Sequence, residues 1–279
     1  MVTNVAVSNE IALGSGSNAQ FHANLFEHID GVTISNIVAA LDTHCNVIKS
    51  QNVVAFGLTG AGCGNDAGLI IKGDGYTTVT NVSAQNISAK ALTPGDSSSG
   101  VILDAEGSDA VSEITVSNVQ TTGVQFAVNL LNNSGAGIGG LKNVSISDVN
   151  ANLSDMPAGR IPSCLLSQTN SAGHAMVNIA VSNFNCINST TEAAAPVEIY
   201  NDWLQSTIQK WSSSNGGYCS TLGGTIDVTG WIDDGSTSSV PTFCTQDSTT
   251  VVHVTGYSSD RGNSPFGSMA PGSILTVQP

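Results

Sequence analysis

One pattern recurs along the chain: apolar, polar, apolar, Ser or Thr, Asn, apolar. It reads VAVSNE ending at Glu10, VTISNI at Ile37, TTVTNV at Val82, ITVSNV at Val119, VSISDV at Val149 and IAVSNF at Phe184. VVAFGL at Leu58 fits with Gly57 in the Asn place, and IDVTGW with Gly230 and VHVTGY with Gly256 are weaker copies. Alternation with period two predicts a strand that turns Val and Ile to one face. Asn, Asp or Gly at the strand end suits a corner in the left-handed backbone region. Asn can also stack on the Asn of the next copy and bond to it side chain to side chain. The marker positions are Asn9, Asn36, Gly57, Asn81, Asn118, Asp148 and Asn183. Copies roughly 20 to 40 residues apart signal a solenoid.

A second strand type follows the markers. Its members are NVIK49, LIIK72, VILD104, FAVN129, CLLS167 and VEIY200. The inward positions expected from this alignment are Ile48, Ile71, Leu103, Val128, Leu166 and Ile199. Each coil then carries at least two strands, stacked parallel to those of the coils above and below. Parallel strands need a crossover, and here the coil itself makes it. The expected fold is all-β, a single-stranded parallel β-helix of about seven to nine coils. The crossover rule favours a right-handed winding, as does the resemblance given below.

Composition shifts near Tyr200. All three Trp, and every Tyr except Tyr76, lie from there onward, and the Ser- and Gly-rich loops lengthen. Residues 1–202 are expected to form the coils. Residues 203–279 are expected to form irregular last coils and a cap for the open end of the stack, or a small β region for trimerisation or ligand binding. The one helical reading is a short segment over 202–211.

Charge narrows the function classes. The net charge is −14, and charged residues make up 10% of the chain. Such a surface repels nucleic-acid phosphates and anionic membranes. An acidic polysaccharide is repelled too unless the few Lys and Arg are grouped. No run of 18 apolar residues exists to insert in a membrane. No signal peptide is visible; a chain that opens on a strand-like VTNVAVSN reads as an excised domain, a mature form or part of a stacked assembly. The six cysteines show no CxxC spacing, which argues against zinc, and no cofactor is expected. Cys219 and Cys244, in the loop-rich last part, are the favoured disulfide, with several of the cysteines expected as small core residues. Sequons at Asn81, Asn86, Asn132, Asn143, Asn152 and Asn188 are what so much Asn and Ser produces by chance.

Stacking the second strands aligns outward columns. One holds Lys49, Lys72, Asp104, Asn129, Ser167 and Tyr200. The next holds Gln51, Asp74, Glu106, Leu131, Thr169 and Asp202. Neighbouring coils lie about 4.8 Å apart, so Asp74 and Glu106 become adjacent carboxylates and Lys72 neighbours Asp104. A carboxylate pair is what glycoside hydrolysis uses, one as acid and one as base or nucleophile. The plainer alternative is a solvated sheet face with a surface ion pair. Tyr200, Trp203 and Trp211 offer flat rings for sugar faces or cover for the helix end. His22 and His28 flank FHANLFEHID, read as a loop or broken coil, and lone histidines are usually structural.

The stretch from about residue 30 to 200 resembles the pectin-lyase-like superfamily and, within it, the polygalacturonase family of glycoside hydrolases. Those enzymes carry NTD, GDD, an IxIK strand, GHG and RIK on successive coils. Here Asp42-Thr43-His44 stands at NTD, before NVIK, and Gly64-Asn65-Asp66 stands at GDD, before LIIK72. Asp66 is the one carboxylate that matches the family's catalytic set. His44 and Asn65 replace others, Ser98-Ser99-Gly100 stands at GHG, and Val124-Gln125-Phe126 stands near RIK without a cation. The resemblance implies a polysaccharide partner. Asp66 from the resemblance and Asp74, Asp104 and Glu106 from the stacked columns are the candidate catalytic groups, with His44, Lys49, Lys72, Asn129, Tyr200 and Trp203 as candidate substrate contacts. Three functions follow as expectations. One is a tailspike-like depolymerase, homotrimeric by resemblance and placed outside the cell or on a virion surface. The others are a non-catalytic receptor-binding or adhesin module, and a secreted hydrolase of the polygalacturonase type.

Overall fold

The computed structural model describes residues 2–14, 22–42, 44–64, 67–73, 78–92, 99–107, 110–134, 140–153, 163–169, 176–188, 197–201, 224–234, 243–245, 251–259, 267–269, 271–272 and 274–278. Every strand pairing among them is parallel, and none of these residues is helical. The chain is a parallel β-helix. The crossover rule requires such a winding to be right-handed.

The recurring motif forms the first sheet. Its leading apolar residues stack in register as Val5, Val32, Val53, Val82, Ile114, Val144, Ile179, Ile226, Val252 and Leu275. Among the described residues that is ten rungs, which bound nine turns, the upper end of the expected seven to nine coils. The strands Gly224–Asp234, Val251–Thr255 and Ile274–Gln278 continue this stack past residue 203. The apolar residue after each marker stacks too, from Ile37 through Leu58, Ile87, Val119 and Val149 to Phe184 and Trp231. The last two rings stack at 4.3 Å between centroids, a geometry aromatic pairs favour. This is one continuous core.

The first seven described coils bend at two left-handed positions, not one, whereas those at Gly230 and Gly256 show only the first. Asn9, Asn36, Gly57, Asn86, Asn118, Asp148 and Asn183 form the first ladder, with φ between 52° and 68°. Asn4, Gly31, Asn52, Asn81, Glu113, Asn143 and Asn178 form the second, one rung each, five residues earlier. Asn81 therefore leaves the expected column and Asn86 takes its place, because TTVTN and VSAQN repeat the same local pattern. Amide side chains run along both ladders. Asn118 Nδ2 donates to Asn86 Oδ1 at 2.5 Å, Asn81 Nδ2 to Asn52 Oδ1 at 2.7 Å and Asn178 Nδ2 to Asn143 Oδ1 at 2.8 Å. A Cβ on Gly57 would sit 3.0 Å from Asn36 Oδ1, in a backbone region with φ of 68°, so glycine serves where the ladder interrupts its side chains.

The second sheet comprises the leading halves of His22–Ala40 and His44–Ala61, then Ala67–Lys72, Ser99–Gly107, Phe126–Ser134, Ser163–Thr169, Val197–Asn201, Phe243–Thr245 and Gly267–Met269. Ile48, Ile71, Leu103 and Val128 face the core as expected. Leu166 does not. Leu165 takes the core position opposite Val128, and Leu166 lies on the other face opposite Asn129. The other face is also dry: Val47, Ile70 and Ile102 are at most 5% exposed and cluster apart from the main core. A near-continuous apolar run such as GLII is the signature of a strand covered on both faces.

Two disulfides differ from the expectation. Cys45 bonds Cys63, and Cys164 bonds Cys186, each closing a loop of about one coil. Successive turns bring the start of one strand against the end of another, so a coil's own winding supplies the two thiols. Cys219 and residues 202–211 lie outside the described residues, so the expected Cys219–Cys244 pair and the short helix do too. Cys244 is described only as a strand position.

Candidate functional site

The trailing ends of the second-sheet strands carry the charges. Glu27 pairs in register with Lys49, and Lys72 with Asp104. Lys49 Nζ lies 3.2 Å from Glu27 Oε1. Lys72 Nζ lies 3.5 Å from Asp104 Oδ2 and 2.5 Å from Glu106 Oε2. Asp104 and Glu106 are two residues apart on one strand and so share a face. The expected Lys72–Asp104 neighbours are present, and Glu106 joins them. The result is an acid–lysine–acid bridge, with Asp104 buried, Lys72 part-exposed and Glu106 exposed.

The register corrects both columns. Leu131, not Asn129, lies opposite Asp104. Asn129 lies between Ile102 and Leu166. Ser167 is opposite Leu130, buried, with its hydroxyl on Met176 Sδ at 3.3 Å. Tyr200 pairs with Leu166 through its backbone. Asn133, not Leu131, is opposite Glu106, and Thr169 is opposite Asn132. A period-two pattern matches itself at every shift of two residues, so FAVN129 and VNLL131 align equally well by eye.

Asn129 thereby changes character. It is 7% exposed, and its Oδ1 is buried with no hydrogen-bond partner from the protein. A buried acceptor left so costs about 1–3 kcal/mol. Its neighbours across and along the strand are Ile102, Leu166, Ala127 and Leu131, none with a side-chain donor.

The remaining candidates fall elsewhere. His44 opens its strand opposite His22, ring edge to face at 4.6 Å. Behind it Asn46 is fully buried and donates to Gly68 O at 2.9 Å and Thr59 O at 3.3 Å, while its Oδ1 accepts from Asn24 Nδ2 at 3.0 Å. Asp66, Asp74 and Trp203 lie outside the described residues, and so does the side chain of Tyr200. Among the described residues no three of His, Cys, Asp and Glu gather to hold a metal ion.

Sequence reading missed Glu27 and the buried Asn24–Asn46 pair. The signal was present: His22-Ala-Asn24-Leu-Phe26-Glu27 repeats as His44-Cys-Asn46-Val-Ile48-Lys49. HANLFEHID is thus part of a strand, not a loop, and it extends the charged column by one rung.

Compared with known proteins, the chain matches no family model, no curated protein and no solved structure.

Proposed function

We propose that this β-helix binds a polysaccharide along the charged margin of its second sheet. The observation that carries the reading is the outward column Glu27, Lys49, Lys72, Asp104 and Glu106, which crosses successive coils. Coils repeat every 4.8 Å or so, so a polar column across them offers repeated contacts to a linear polymer. The resemblance of DTH, GND and LIIK to the polygalacturonase pattern supports the same partner class. Two disulfides suit an oxidising compartment, in keeping with an extracellular or virion-surface protein. A tailspike-like assembly would be a homotrimer.

Hydrolysis is the second reading, and Asp66 carries it through its match to the family motif. In the described part of the column the acids are bridged by lysine rather than set side by side, an arrangement better suited to binding than to proton transfer.

The test is retention of the protein in gels cast with polysaccharides, beside assays of reducing-end release and of unsaturated products. Retention is expected from at least one polymer and is expected to fall in Lys49→Met/Lys72→Met. Release abolished by Asp66→Asn would add hydrolysis. Absence of retention on every polymer of a pectic and capsular panel would overturn the proposal.

A further inference from the structure

We infer a second carbohydrate-binding surface on the outer face of the first sheet, centred on Phe56 and Val54, that takes a neutral glycan. The inference rests on the polysaccharide reading for its ligand class and uses none of the charged column.

Two outward columns cross the wet face of the first sheet. In one, Val54 stands between Thr33 and Ser83, and in the other Phe56 stands between Ser35 and Gln85. Every other coil places at least one hydroxyl at these two positions, as in Thr115 with Ser117 and Ser145 with Ser147. The strand His44–Ala61 instead places two apolar side chains there, two residues apart on one face and 55% and 46% exposed. No other aromatic side chain among the described residues is exposed. Gly57 follows, so the corner beside the ring carries no side chain. From Ala6 and Ser8 as far as Ala180 and Ser182 neither column holds a charged residue, in a chain of net charge −14.

An open aromatic ring suits the C–H face of a sugar, and the hydroxyl and amide groups beside it suit the sugar's own hydroxyls. The columns also select for lack of charge. A uronate would find no cation in them and would meet the field of an acidic chain. A linear glycan laid along the axis meets a new row about every 4.8 Å, so Ser35 and Gln85 flank the ring on which it stacks. A second copy of the chain fits this face less well. The centre of a protein interface is a broad apolar patch, and here it amounts to two side chains in a hydroxyl-rich sheet.

The experiment uses the full chain with neutral galactan, glucan and mannan, beside polygalacturonate. Binding is measured by gel retention and titration calorimetry, self-association by light scattering and stability by thermal unfolding. At least one neutral glycan is expected to bind, with little dependence on salt. Phe56→Ala is expected to weaken that binding about tenfold, in line with the loss of one stacked ring. Phe56→Leu, apolar without a ring, is expected to lose nearly as much, and Phe56→Trp to keep it. Because Phe56 is exposed, all three are expected to melt with the wild type. Undiminished neutral-glycan binding by Phe56→Ala or Phe56→Leu, or a lowered melting temperature that marks a structural ring, would overturn the inference and leave the polysaccharide reading standing. So would binding of polygalacturonate alone, or neutral-glycan binding lost only in Lys49→Met/Lys72→Met. Self-association of the wild type that Phe56→Ala abolishes would give the face to a second copy and overturn the inference. A wild type that binds no polymer overturns both.

Discussion

The two sheets of this solenoid are built from the same kinds of residue and meet water differently. In the first sheet the alternate positions Thr33, Val54, Thr115 and Ser145 are exposed, while Val32, Ala55, Val116 and Ile146 between or beside them are buried. In the second, Ile70 and Ile102 occupy the equivalent outward positions and are 3% and 5% exposed. Clean alternation therefore marks one wet face, and an unbroken apolar run marks two dry ones. The charged column and the buried Asn129 amide both lie on the sheet with two dry faces. The first sheet spends its polar residues on Asn ladders and small hydroxyls. The second buries a set of polar side chains, Asn24, Asn46, Asn129 and Ser167 among them, and carries its charges at the trailing strand ends.

The sharpest way to break this comparison is to truncate matching outward residues. Ile102→Ala is expected to cost about 2–4 kcal/mol, as for a core residue. Val54→Ala, at 55% exposure, is expected to stay within about 0.5 kcal/mol. Denaturant unfolding of both variants decides it, and equal losses would show that the two outer faces do not differ.

A middle-sized effect belongs to the ladders. Asn118 combines a φ of 52° with a hydrogen bond to Asn86. Asn118→Ala loses both, at about 2 kcal/mol from left-handed strain plus one hydrogen bond. Asn118→Gly keeps the backbone freedom and is expected to lose less, about 1 kcal/mol. If the alanine variant proved no worse than the glycine variant, the backbone conformation would not be what the motif selects.

The smallest effect is the outer ion pair. Lys49 and Glu27 are both partly open to solvent, so a double-mutant cycle with Lys49→Met and Glu27→Gln is expected to give under about 1 kcal/mol of coupling. The coupling should shrink as salt rises. A larger, salt-insensitive value would place this pair with the buried parts of the second sheet.

Strand positions, the parallel solenoid and, Asn81 apart, the first ladder of turning residues were legible in the chain itself, whereas the second ladder was not. Those features depend on a residue and its near neighbours: period two sets the faces of a strand, and Asn or Gly admits the left-handed corner. The Glu27 rung was legible as well, through the HANLFE and HCNVIK repeat, although FHANLFEHID reads at first as a broken coil. The Lys72–Asp104 contact was legible because LIIK and VILD align without a shift.

What only the tertiary structure decided is register and company. A strand of period two fits its neighbour at any even offset, and the number of residues looped out between strands chooses among those offsets. That choice put Leu131 against Asp104, sent Asn129 into an apolar row and exchanged Leu166 for Leu165 in the core. It likewise moved Asn81 to the second ladder and brought Cys45 to Cys63 and Cys164 to Cys186. Local chemistry is written residue by residue along the chain. Which residues meet across coils depends on the path between them, and the apolar pattern alone does not encode that path.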